Sequence, residues 1–142
     1  MTYEEKNAWV QLVVMTSGVI VYLVLLLNLL GAGPLTEIAY QPALLWCIGG
    51  SIVAAIVLRI GVEIIRPSDS RRHDPRDREL ARFATVNSQW LLMIFGVAAF
   101  VLALLSVDQA WIAHTLYAGF ALSSILNYAL LALGYRRGAP QW

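Results

Sequence analysis

Charge is scarce in this chain, and the scarcity decides its class. Of 142 residues only 13% are charged, while 59% are hydrophobic and the mean hydropathy is +0.67. A soluble domain is roughly half apolar and about a quarter charged, so this composition belongs in lipid. Cysteine is nearly missing as well. Cys47 stands alone, which excludes an intrachain disulfide, and no Cys/His spacing of a zinc site occurs. Beside Trp46 in an apolar run, its thiol reads as a small hydrophobe. The net charge of +1 excludes a global attraction to nucleic acid or to acidic partners.

Proline is absent from four long apolar segments, 8–30, 43–65, 86–106 and 110–134. Each meets the requirement of about 20 mostly apolar residues for crossing a bilayer. Without internal breakers they are expected to be continuous helices, lacking the interruptions that mark many transporter binding sites. Gly31, Gly33, Pro34 and Pro42 bound the first connection, Pro67 stops the second helix, and Gly138 with Pro140 ends the fourth. Glu4 and Glu5 at the tip and the length of the first apolar run argue for an uncleaved helix, not a signal peptide. The expected fold is all-α: a single domain over 1–142, with four transmembrane helices in two hairpins.

Lys and Arg in flanking loops set orientation. One side of this four-span arrangement collects Lys6, Arg66, Arg71, Arg72, Arg76, Arg78, Arg82, Arg136 and Arg137, and the other has only Glu37 and Asp108. Both termini and the loop 66–85 are therefore expected in the cytoplasm, in a plasma (inner) membrane. Trp9, Trp46, Trp90 and Trp111 fall near span ends, as an interfacial aromatic belt requires. Small residues promise close helix packing: Gly50, Ala54, Val57 and Gly61 on the second span, and Gly96, Ala99, Ala103 and Ser106 on the third. Ala113, Phe120, Ser124 and Asn127 do so on the fourth. These stripes predict a tight, dry bundle and equally suit contact with a neighbouring subunit.

Chemistry is the other absence. The chain has no GxSxG, HExxH or phosphate-binding glycine loop, and His73 and His114 lie on opposite faces, which excludes two axial ligands for one haem. Neither cofactor nor metal is expected, and no enzyme. Ionisable groups inside spans carry the functional weight, because a charge in hydrocarbon costs about 3 kcal/mol. Arg59 and Glu63 qualify. Four residues apart, they share a helix face, and Arg66 extends the ladder. Asn28, His114 and Asn127 are the polar residues of interest within the membrane. Asn127, with Ser123 and Ser124 one turn earlier, predicts an interhelical hydrogen-bond cluster, and His114 an interfacial hydrogen-bonder near Asp108 and Trp111.

Nine of the chain's charges crowd into the seventeen residues PSDSRRHDPRDRELARF, Pro67 to Phe83. HDPRDREL reads as a helix start, with Asp74 as N-cap, Pro75 at the first helical position and Asp77 at the third. The third helix is thus expected to project two to three turns from the membrane, with Asp74–Arg78, Arg76–Glu79 and Glu79–Arg82 at ion-pair spacing and Leu80 and Phe83 turned toward the bundle. Topology explains the arginines but not the interleaved Asp74, Asp77 and Glu79. A lipid-binding patch is more purely basic, so mixed charge in a helical frame predicts a protein contact, or a latch onto Arg59 and Glu63.

Several motifs point further. Tyr3-Glu4-Glu5-Lys6 with Trp9, PLTEIAYQPALLW, Arg59 and Glu63 before Pro67-Ser68-Asp69-Ser70, Asp74 with Arg76-Asp77 and Glu79, and Trp111-Ile112-Ala113 are similar to those of one group. Over essentially its whole length the chain resembles uncharacterised short four-helix membrane proteins, found mainly in actinobacteria. That resemblance implies the four-span topology and no catalytic residue.

The expected role is a non-enzymatic membrane protein of regulatory, assembly or partner-docking type, acting through Arg59, Glu63, Asp74, Arg76, Asp77 and Glu79. Its partners would be the lipid bilayer and a second copy or another membrane or cytoplasmic protein, with no nucleic acid. The alternative is a small oligomeric transporter or channel, with Arg59, Glu63 and Asn127 lining a path.

Overall fold

The computed structural model describes residues 3–65 and 75–137; the side chains of Tyr3, Glu4, Glu63, Ile65, Pro75, Arg76 and Arg137 lie outside that description. The described chain is four helices: α1 (Tyr3–Leu30), α2 (Tyr40–Ile65), α3 (Pro75–Leu104) and α4 (Gln109–Arg137). All four are long and apolar enough to cross a membrane. At 1.5 Å per residue each reaches about 40 Å or more, beyond the ~30 Å of hydrocarbon.

The ends follow local chemistry. α3 opens on Pro75, where a missing N–H has no partner to lose; the expected cap, Asp74, lies outside the described residues. Pro42 falls in the first turn of α2 for the same reason, so that helix starts three residues before its apolar run. Between α3 and α4 the chain reverses within four residues. Ser106 takes a left-handed conformation (φ 54°), Val107 N–H donates to the Leu102 carbonyl and Ser106 N–H to that of Ala103, both at 3.0 Å. This pair of bonds closes a helix C-terminus in a Schellman motif, with serine where glycine is usual. Asp108 then caps α4, accepting the Ala110 N–H at 2.8 Å.

Packing joins the two hairpins chiefly along one helix pair, α1 with α4. α1 packs on α2, α4 on α3, and α1 on α4, so the helices lie in the order α2–α1–α4–α3. The bundle is open, with α2 and α3 at its edges. Among the described residues of α2 only Tyr40 is buried.

Lipid offers no hydrophobic drive between helices, so close backbone approach must hold them. Three glycines provide it. A Cβ on Gly18 would strike the Ser51 side chain of α2, one on Gly134 would strike Leu80, and one on Gly119 would lie 2.5 Å from Phe95 Cβ. Between α3 and α4 the Ser123 hydroxyl also donates to the Ser88 carbonyl at 2.8 Å. Leu80, in the charged stretch, is buried on this seam and ties the projecting turns of α3 to α4.

The small-residue stripes read from sequence are mostly elsewhere. Gly50 and Val57 face outward on α2, Ala103 and Ser106 are exposed on α3, and Phe120 is exposed on α4; Ala99 alone of those named is buried. The reason is physical. In a membrane protein the lipid face and the protein face are equally apolar, so small-residue spacing does not say which side meets protein.

Candidate functional site

Two features of the described chain demand a role, an aromatic cluster that ties the helices together and an outward face of α2 that nothing covers. The cluster is built on Tyr22, midway through an otherwise aliphatic run of α1 and 1% exposed. A phenol there needs a hydrogen-bond partner, since hydrocarbon supplies none. His114 of α4 is that partner. A carbonyl oxygen can only accept, so His114 Nδ1 donates to Ala110 O at 2.7 Å, leaving Nε2 to accept the Tyr22 hydroxyl at 2.6 Å.

Tyr117 meets the Tyr22 ring edge-on at a centroid distance of 4.8 Å, and Tyr40, 4% exposed at the start of α2, lies 5.0 Å from the His114 ring. Three helices are thereby pinned at the end that carries the connections 31–39 and 105–108. The sequence singled out His114 but not Tyr22, Tyr40 or Tyr117. The signal was the tyrosine hydroxyl itself, stranded in an apolar span, which obliges a polar residue on another helix.

The outward face of α2 is different in kind. Pro42, Leu45, Trp46, Gly49, Gly50 and Val53 follow helical spacing and form a shallow, open, apolar surface. Trp46 is 80% exposed and Leu45 69%, while a Cβ on Gly49 or Gly50 would meet nothing within 4 Å. A projecting ring thus stands one turn from a notch on the same helix.

The residues chosen from sequence do not gather at one place. Arg59 is exposed on α2, thirteen residues from Trp46 and hence on a different side of the helix from the notch. The ladder from Arg59 to Glu63 and Arg66 involves a side chain and a residue outside the described set, as do Asp74 and the Arg76 side chain. Glu79 and Arg82 are both exposed and form no ion pair, against the expected i,i+3 contact; in water such a pair gains only a few tenths of a kcal/mol, too little to fix two long side chains. Asn28 is exposed and donates to its own helix, at the Val24 carbonyl, 2.9 Å away.

Asn127 departs from expectation. Ser123 makes the interhelical bond alone, and the Asn127 Oδ1 atom is buried with no partner among the described residues. At the other end of α4, Arg136 lies 4.8 Å over the Trp9 ring and its Nε is 4.0 Å from Glu5, so Trp9 serves the α1–α4 contact. Among the described residues no three His, Cys, Asp or Glu side chains come close enough to hold a metal.

No family model matches the chain, and neither the curated proteins nor the solved structures give a match.

Proposed function

We propose that this chain is a non-enzymatic multi-pass protein of the plasma membrane that works by assembly, with two copies meeting along α2. The charged segment that follows α2, on the cytoplasmic side with both termini, is then the contact for a further partner. The observation that carries this reading is the edge position of α2, which touches the rest of the molecule along one side only and presents Trp46 beside Gly49 and Gly50 on the other.

A second copy suits that face because ring and notch lie on the same helix within one turn. A two-fold axis along the membrane normal sets Trp46 of each copy about one helical turn from the notch of the other, within reach of the ring, in one isologous interface. It also keeps both copies in one orientation, and the one-sided distribution of Lys and Arg demands the same. Close approach at paired glycines is the usual means by which helices associate in lipid.

Subunit counting tests the reading. In lipid nanodiscs or vesicles at low protein density, fluorescently labelled protein should bleach in two steps. Gly50→Leu, which fills the notch without touching α1, should shift the population to single steps. Single-step bleaching of the unaltered protein contradicts self-assembly.

A further inference from the structure

The open order of the helices leaves a second consequence at the charged end. α1 and α3 both pack on α4 but not extensively on each other, so a groove runs between them with α4 as its floor. At the charged turns of α3 these three helices border a cleft of about 130 Å³, lined by Asn7 of α1, Asp77, Arg78 and Ala81 of α3, and Tyr128 and Tyr135 of α4. One water needs only about 10–15 Å³. The cleft therefore has room for a small polar group.

Its charges are available. Asp77 and Arg78 are consecutive on α3, and side chains one apart on a helix do not face each other. Neither has an ion-pair or hydrogen-bond partner among the described residues. A carboxylate and a guanidinium thus border one cavity without neutralising each other, with an amide and two phenol rings around them. The level matters as much. Tyr128 and Tyr135 of the cleft straddle position 134, where the fourth apolar segment ends. Asn7 directly precedes the first apolar segment, which starts at Ala8, so the cleft opens at the end of the spans, where headgroups lie.

We propose that this cleft binds the headgroup of a phospholipid carrying both a phosphate and a primary ammonium, a phosphatidylethanolamine. Arg78 forks onto the phosphate, Asp77 takes the ammonium, and Asn7 donates to a phosphate oxygen. The two tyrosine rings border the cation, which favours aromatic faces. The acyl chains follow the apolar groove between α1 and α3. A purely anionic lipid could place its phosphate on Arg78 equally well but brings no cation to pair with Asp77, and a quaternary ammonium has no N–H to give the carboxylate. The segment's mixed charge, which a basic lipid patch does not explain, is what a zwitterion requires. The site involves α1, α3 and α4 only and stands apart from the α2 interface.

The test is lipid retention by the full chain, purified in mild detergent doped with one lipid at a time and read by native mass spectrometry. Phosphatidylethanolamine should be retained about tenfold over phosphatidylglycerol, the worth of one charge-assisted hydrogen bond. Asp77→Asn should erase that preference, Arg78→Gln should lower retention of both lipids, and Ala81→Phe, which fills the cleft, should abolish it. These side chains border an open cleft, and an unchanged thermal transition verifies the fold of each variant. Equal retention of the two lipids by the unaltered protein, or an unchanged preference in Asp77→Asn, overturns the proposal. Displacement by free phosphoethanolamine at the lipid's own concentration overturns it too, by assigning the cleft to a soluble ligand.

Discussion

Replacing Gly119 with leucine should lower the unfolding free energy by about 3 kcal/mol, the upper end for forcing bulk into a packed seam. The site cannot yield. A Cβ at this position would be 2.5 Å from Phe95 Cβ and 3.2 Å from its Cγ, atoms fixed close to the α3 backbone. Leucine has the better helix propensity, by up to about 1 kcal/mol over glycine, and that gain is too small to offset the clash. Gly96→Leu is the control. On α3 nothing lies within 4 Å of its would-be Cβ, so it should cost no stability and gain up to about 1 kcal/mol from helix propensity. Phe95→Ala should recover part of the Gly119→Leu loss in a double-mutant cycle. Reversible unfolding in mixed micelles measures all three, and equal losses at the two glycines would show that the α3–α4 seam is misplaced.

Tyr22→Ala is the second large effect, expected at about 3 kcal/mol, the low end for truncating a buried aromatic ring. The low end applies because lipid tails are as apolar as the core, so the loss lies in dispersion contacts and the cavity left behind more than in transfer from water. Tyr22→Phe keeps the ring and removes only the bond to His114. Hydrogen bonds between membrane helices average about 0.6 kcal/mol and reach about 1.7, so about 1 kcal/mol is expected. Packing therefore outweighs the hydrogen bond at Tyr22. Were Tyr22→Phe as damaging as Tyr22→Ala, the cluster would be a polar lock first and a packing core second.

What the sequence reveals and what it hides divide along a physical line. The existence of four helices is legible because 20 apolar residues in a row have few other uses, and the start of α3 at Pro75 is legible because proline and its neighbours act locally. The packing is not. Gly50 and Gly119 both sit in apolar spans, yet one faces outward and the other meets Phe95, a distinction that only the partner helix supplies. Tyr22 and His114 are 92 residues apart, and no local pattern links them. Asn127 and its neighbouring serines share a face in sequence, but only Ser123 reaches across to α3. Among the charges, Asp77 drew notice as an acid among arginines, and its cleft appears once α1 and α4 are placed beside it.

The proposed interface between copies lies along α2, and disulfide crosslinking in native membranes tests it most directly. With Cys47 replaced by alanine, single cysteines are placed at Gly50 and Val53 on the notch face, and at Ala55 on the side that meets Gln11 of α1. Mild oxidation should give a crosslinked dimer from Gly50→Cys and Val53→Cys and none from Ala55→Cys. Monomer at all three positions, or equal dimer at all three, would contradict it.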